Sequence, residues 1–251
     1  MDTAADQETQ VKEPEPPKAS LWEDLIDVFI SPAELYRRRA QDGWVKPWIV
    51  LSIILIALYY LFYAPNKELA LASARELLAR KGLTELPAGA QGTTNVMQMI
   101  GGIFQPIGVL IGLLLGGAIL WVVGLVAQGG PRFRQAMMIV AWASFPTILQ
   151  KAAQAVLIIL KTNSGEALGP VKDTSFGVLR FLDPSSLPTP LVATLSMVDL
   201  FAFWQMVLWI VAVKVICNYT AGKATAVGVA AWLVMLLPVI GLGFLGQAFG
   251  G

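Results

Sequence analysis

Five polar side chains that could do chemistry lie inside long apolar segments of this chain. Ser144, Thr147, Lys151 and Gln154 recur at helical spacing and form one polar stripe, and Asp199 lies in the following apolar segment. Charged side chains inside a membrane are costly, so they usually face the protein interior and pair with an opposite charge. Because Lys151 and Asp199 lie at similar depths, the sequence predicts that they pair.

Such a pair has two interpretations, and a third arrangement needs no pair. Lys151 and Asp199 could form a structural ion pair that locks two helices, which is the favoured interpretation, or serve a proton or solute path. Alternatively, each residue could face a wet cavity without a partner. A Ser144–Lys151 catalytic dyad is disfavoured, because seven residues of helix separate the two side chains by about 10 Å.

The composition excludes most catalytic and cofactor chemistry. The chain has no histidine, which removes the usual zinc sites and His-based nucleophilic catalysis. Its single cysteine, Cys217, allows no intrachain disulfide. A net charge of +1 gives no basic field for nucleic acid. The sequence therefore predicts a protein that is not an enzyme, that needs no cofactor or metal and that does not bind nucleic acid.

Small residues and prolines within the apolar segments have both structural and functional interpretations. Gly108, Gly112 and Gly116 are four residues apart and predict a groove where another helix approaches closely. That helix could belong to the same chain, or the groove could be a homodimer face. Pro146 predicts a kink, which shapes a bundle more often than it gates one.

The elements that position these residues are predicted to be membrane-spanning helices. Hydrophobic residues make up 56% and charged residues 14% of the 251 residues, as in an integral membrane protein. Five apolar segments approach the roughly 20 residues that a spanning helix needs. The sequence thus predicts an all-α integral membrane protein with a five-helix membrane domain over 44–247. The predicted spans lie near 46–64, 103–127, 136–160, 191–217 and 224–245.

The N-terminal region is predicted to differ from the membrane domain. Residues 1–19 are acidic and proline-containing and predict a disordered tail. Residues 20–43 predict two cytoplasmic amphipathic helices, the second beginning at Pro32. The first helix places Trp22, Ile26 and Phe29 on one face, and the triple arginine Arg37, Arg38 and Arg39 follows. These helices are expected to lie on the membrane surface, to pack on the bundle, or to do both.

Charge density in the short connections predicts the orientation. The loops at 128–135 and 218–223 carry Arg132, Arg134 and Lys223 without any acidic residue, and the triple arginine lies close before the first span. Basic residues in short loops mark the cytoplasmic side. The N-terminus is therefore predicted to lie inside, on the cytoplasmic side of the membrane.

Several short motifs resemble the Yip family, the Ypt/Rab-interacting polytopic membrane proteins, and in particular its prokaryotic branch. They are Phe29-Ile-Ser-Pro32 with Tyr36 and the arginines, Trp44-Val-Lys-Pro47-Trp48, Ala141-Trp-Ala-Ser-Phe-Pro146, Asp199-Leu-Phe-Ala-Phe-Trp204 and Thr220-Ala-Gly-Lys223-Ala224. The resemblance covers roughly residues 28–245. It implies five spans, a cytoplasmic N-terminus, no catalytic residues and, through the prokaryotic branch, a place in the cytoplasmic (inner) membrane of a prokaryote. Eukaryotic relatives are implicated in vesicle trafficking and bind prenylated Rab-type GTPases.

The sequence leaves two functional hypotheses. The leading one is a non-enzymatic polytopic membrane protein that organises the membrane or binds partner proteins through its N-terminal helices. Its expected partners are the lipid bilayer and a membrane protein, with a homodimer as an alternative. The second hypothesis is a small transporter, channel or lipid-moving protein that uses the Lys151 and Asp199 pair.

Overall fold

The protein is all-helical in the part of the chain that the structure describes. The structure is a computed structural model, and it describes residues 20–80, 82, 90–166 and 168–250. The predicted tail at 1–19 lies outside this part. Within it, extended pairing is limited to an isolated bridge between Gly177 and Asp199. The prediction of an all-α fold is confirmed.

Eleven α-helices follow one another in the described residues. They are α1 (Leu21–Ile30), α2 (Pro32–Arg39), α3 (Val45–Leu61), α4 (Tyr63–Arg80), α5 (Ala90–Val126), α6 (Phe133–Ala143), α7 (Pro146–Asn163), α8 (Pro170–Thr174), α9 (Thr189–Ser196), α10 (Leu200–Ile216) and α11 (Ala221–Gly250). Two short 3-10 turns, Val178–Phe181 and Pro184–Ser186, connect α8 to α9.

The first two helices form a hairpin whose start signals agree with the sequence. Ser20 Oγ accepts a hydrogen bond from the Glu23 amide, and the Glu23 carboxylate accepts one from the Ser20 amide at 2.7 Å. This reciprocal capping satisfies two amides that the first turn leaves free. Pro32 occupies the first turn of α2, where its missing N–H costs nothing. We call α1 and α2 together the N-terminal hairpin.

The apolar helices support membrane insertion, but not a count of five spans. Gln98–Val126, Phe133–Asn163 and Ala221–Pro238 are long and apolar enough to cross a bilayer. A fourth span results if α3 and the start of α4, which meet at a bend of 79°, count as one broken span. The remaining apolar helix, α10, has only 17 residues.

Two of the predicted spans are interrupted. The predicted span at 136–160 consists of α6 and α7, which are separated at Ser144 and Phe145, and Pro146 begins α7. A proline fits this position because the first turn of a helix needs no N–H from it. The predicted span at 191–217 is divided into α9 and α10, so its uninterrupted apolar part is shorter than predicted.

The core lies where the N-terminal hairpin meets α3, α5, α6, α10 and α11. It contains the fully buried side chains Tyr36, Leu51, Leu120, Phe145 and Trp209. Almost all of α6 is buried, from Ala136 to Ala143. This short helix is therefore the centre of the bundle, and the longer helices surround it.

The glycine groove predicted on α5 is closed at only one end by the residues that the structure describes. A methyl group at Gly116 would lie 3.1 Å from Val140, whereas positions 108 and 112 have open space around them. Another close helix approach is found at Gly228 of α11, where a methyl group would lie 2.5 Å from the Ile210 side chain and 3.2 Å from its backbone. Small residues permit such contacts between helices in membranes.

This difference gives a matched pair of substitutions. Gly228→Ala forces α10 and α11 apart and should cost about 1–3 kcal/mol, as overpacking usually does. Gly108→Ala adds a methyl group in open space and should leave stability unchanged or slightly raised, because alanine favours a helix. Unfolding by sodium dodecyl sulfate in mixed micelles measures both variants. Equal destabilisation by the two substitutions would contradict the packing described here.

Candidate functional site

Asp199 lies at a helix start instead of inside a helix. It is the N-cap of α10, where its Oδ1 accepts a hydrogen bond from the Ala202 amide at 2.8 Å. Its other oxygen accepts one from Gln150 Nε2 of α7 at 2.5 Å. The residue is 5% exposed. Both carboxylate oxygens of this buried group therefore have donors, as burial of such a group requires.

The predicted ion pair between Lys151 and Asp199 is not formed. Lys151 Nζ instead donates to Gln154 Oε1 at 3.4 Å, and Gln154 donates to the Thr174 carbonyl oxygen at 3.2 Å. The reason is the geometry of α7: consecutive residues of an α-helix point about 100° apart. Once Gln150 faces Asp199, its neighbour Lys151 must point elsewhere. The two charges belong to different hydrogen-bonded groups.

The predicted polar stripe is divided between two spaces. Ser144 and Thr147 line a partly open cavity of about 210 Å³ beside Gln205 and Trp209, and Gln205 donates to Ser144 Oγ at 3.3 Å. Lys151 lines a different space of about 340 Å³, the Lys151 recess, at the end of the bundle remote from the N-terminal hairpin. Thr147 and Lys151 both belong to α7, one turn apart, but they line different spaces. The stripe is therefore not one continuous polar path.

Sequence reasoning missed the two amides that satisfy the polar groups of the bundle. Gln150 and Gln205 each bind a polar residue of a neighbouring helix. Their signal in the sequence is weak, because glutamine is neutral and common at helix surfaces. A search for donors around the predicted intramembrane carboxylate would have selected Gln150.

The N-terminal hairpin carries the densest group of ion pairs that the described residues contain. Asp24, whose side chain is fully buried, binds Arg39 Nη2 at 2.6 Å and Arg38 Nη2 at 3.1 Å. Arg38 also binds Asp27, and Arg39 also binds Asp42 at 2.9 Å. The hydrogen bonds that Arg38 donates to Asp27 and that Arg39 donates to Asp24 raise the pKa of these two guanidinium groups. These pairs hold α1 against α2, while Arg37 stays exposed.

The second helix of the hairpin docks lengthwise on α10. Leu35 and Tyr36 are fully buried, and burial raises the pKa of the Tyr36 phenol, whose hydroxyl has no hydrogen-bond partner. Phe29 packs edge-on against Trp204 with ring centroids 5.4 Å apart. Trp204 lies about 20 Å along α10 from its C-terminal end. The Ala40 carbonyl accepts a hydrogen bond from Gln135 near the start of α6.

The outer face of the hairpin is apolar. Trp22 is 77%, Ile26 56% and Ile30 71% exposed. We call these three side chains the apolar face of α1. Phe29, predicted to share this face with Trp22 and Ile26, turns instead towards Trp204. Of the two predicted placements of α1, packing on the bundle therefore describes Phe29, while Trp22, Ile26 and Ile30 are exposed within the described chain.

The described residues contain no metal-binding arrangement. No group of three or more histidine, cysteine, aspartate or glutamate side chains in this part of the chain is placed to hold a metal ion. Within the same part, Asp24, Ser144 and Asp199 have hydrogen-bond partners on neighbouring helices, which fix the positions of those helices. Five other buried polar atoms, on Tyr36, Ser52, Gln98, Gln105 and Trp209, have no hydrogen-bond partner among the described residues.

A double-mutant cycle distinguishes the observed partner of Asp199 from the predicted one. We expect Gln150→Leu and Asp199→Ala to be coupled by about 0.5–2 kcal/mol, because they share a hydrogen bond inside the bundle. The coupling of Lys151→Met to Asp199→Ala should be smaller. Unfolding in mixed micelles gives both values, and a larger coupling for Lys151 would restore the ion pair that the sequence predicts.

The comparisons with known proteins agree with the architecture. The family model of the Yip1 domain matches residues 26–242, a range that runs from within α1 to within α11. No curated protein and no solved structure matches the chain. The match includes most of the chain, the docked hairpin and the apolar helices alike. This polytopic membrane protein therefore belongs to the Yip family.

Proposed function

We propose that this protein is non-enzymatic and organises the membrane in which it is embedded, with the N-terminal hairpin as its working surface. The observation that carries this proposal is the apolar face of α1, which is exposed although the rest of the hairpin is firmly docked. A large apolar face that no part of the described chain covers is typical of a contact with lipid or with another protein. We infer that the apolar face of α1 contacts lipid.

The ion pairs of the hairpin support contact with lipid. Asp24 and Asp27 are neutralised by Arg38 and Arg39, so the acidic side of α1 enters a low-dielectric surrounding at reduced cost. Trp22 stands near the start of α1, and tryptophan is enriched where a protein crosses the membrane interface. The hairpin is thus a rigid apolar surface held beside the bundle, in the leaflet nearest the N-terminus.

The orientation of this surface follows from the charges around it. The end of the bundle that carries the hairpin also carries the loops with Arg132, Arg134 and Lys223, and Lys223 binds the Gln128 carbonyl across these loops. Basic residues in short loops favour the cytoplasmic side. We infer that the hairpin faces the cytoplasm of a prokaryotic cell, at its inner membrane.

Other interpretations have less support in the geometry. A transport role was predicted from a pair of Lys151 and Asp199, which do not bind each other. A protein partner or a second copy of the chain on the apolar face of α1 remains the alternative occupant of the same surface.

Labelling of the apolar face tests lipid contact. In a Cys217→Ser background, an environment-sensitive fluorophore on Ile26→Cys or Ile30→Cys should be quenched in liposomes by lipids brominated on their acyl chains. Iodide in the water should have little effect, because the label lies among acyl chains. The matched control is Arg37→Cys on the exposed side of α2, whose label should respond to iodide and not to the brominated lipids. Iodide quenching of Ile26 and Ile30 labels to the level of the Arg37 label would refute lipid contact.

Cysteine labelling in cells tests the orientation. In the same Cys217→Ser background, Arg180→Cys lies in the exposed 3-10 turn at the far end and should react with an impermeant thiol reagent from outside. Arg132→Cys lies at the hairpin end and should react only after the membrane is permeabilised. The reaction is read as a mass shift on a gel. The reverse labelling pattern would overturn the inferred orientation.

A further inference from the structure

The Lys151 recess contains polar atoms that the protein itself does not satisfy. Its volume of about 340 Å³ falls within the range of roughly 300–1,000 Å³ that is usual for ligand pockets. It is lined by α3, α4, α5 and α7, at the place where α3 and α4 meet at a bend of 79°. The recess lies on the inside of this bend, where α4 turns to pack against α5 and α7.

The cation of the recess forms no ion pair with a described acidic residue, and Asp199 acts on its charge through space without a direct contact. The Lys151 ammonium group has three donors, and its hydrogen bond in the structure is the long one to Gln154 Oε1, at 3.4 Å. A positive charge within an apolar segment is stable only when an anion or water accompanies it. The recess therefore favours a ligand with an anionic group.

A second polar atom in the same recess needs a donor. Gln105 lines the recess, and its Oε1 is buried without a hydrogen-bond partner in the part of the chain that the structure describes. The other polar side chains of the recess are engaged: Tyr59 donates to the Gln98 carbonyl, and Asn66 donates to the Tyr59 carbonyl. Buried acceptors are rarely left unpaired, so Gln105 indicates a ligand that also offers a hydrogen-bond donor.

The surroundings of the recess are apolar and lie on the lipid-facing side of α5. Phe104 lines the recess and is 58% exposed, and the exposed side chains of Met99, Ile103 and Ile107 continue this surface along the helix. A small soluble ion would gain nothing from such a surface. Two acyl chains would bury it.

We propose that the Lys151 recess binds the headgroup of a glycerophospholipid, with Lys151 on the phosphate and Gln105 Oε1 on a headgroup donor such as an ammonium or hydroxyl group. The acyl chains lie along the exposed side of α5. This site is at the end of the bundle remote from the N-terminal hairpin and does not depend on what the hairpin binds.

Native mass spectrometry of the delipidated full-length protein tests this site. Phosphatidylethanolamine, which has phosphate and an ammonium donor, should bind at least about tenfold more tightly than phosphatidylcholine, which has no N–H donor. Lys151→Met should weaken phosphatidylethanolamine binding by a similar factor, whereas Lys151→Arg should retain it. Gln105→Leu should remove most of the difference between the two lipids.

Matched controls separate this site from nonspecific lipid binding. Lys214→Met is the same substitution on α10 at the hairpin end and should leave the affinity unchanged. Equal affinity of both lipids for the wild-type protein, with no effect of Lys151→Met, would show a general lipid shell and overturn the proposal. Equally tight binding of glycerophosphoethanolamine, which lacks acyl chains, would show a site for a soluble solute and overturn it as well. Thermal unfolding of each variant in detergent verifies that it is folded.

Discussion

The buried carboxylate of Asp199 must have hydrogen-bond donors in an apolar bundle, and the geometry of the bundle centre follows from how it obtains them. It caps α10, which places the break between α9 and α10 at this residue. It also binds Gln150, which fixes the rotation of α7. Since Lys151 is the next residue on α7, that rotation turns its ammonium group away from the carboxylate and into the recess beside Tyr59.

The N-terminal hairpin also contains a buried carboxylate that needs hydrogen-bond donors, and here the donors are charged guanidinium groups. Asp24 is completely buried between α1, α2 and the membrane domain, and two arginines of α2 supply its donors. Removing one member of such a group is costly because the others stay buried without a partner. The arginines that the sequence suggested as a membrane-surface cluster are therefore in part an internal support: Arg38 and Arg39 hold the hairpin, and only Arg37 is free to meet the surface.

The helical fold, the starts of α1 and α2 and the family could be predicted from the sequence, because their signals are continuous in the chain. The capping box at Ser20 and the proline at position 32 each act within a few residues, and each apolar segment is an uninterrupted stretch of sequence. The partners of Lys151 and Asp199 could not be predicted in this way. Depth along two helices can be counted, but rotation about their axes depends on every neighbour, and a rotation of about 100° exchanges Gln150 for Lys151. The interruption before α10 was missed for a related reason: an aspartate in an apolar stretch signals either an intramembrane charge or a helix cap.

The shortness of α10 has a consequence for the surrounding bilayer. Its 17 residues extend about 25 Å, whereas the hydrocarbon core of a typical bilayer is about 30 Å thick. A short apolar helix is accommodated by local thinning of the lipid or by polar residues that reach towards the headgroups, and Lys214 near the end of α10 is suited to the latter. Hydrophobic mismatch of this kind makes a protein sensitive to membrane thickness. In a membrane of uneven thickness, the short α10 would favour the thinner regions.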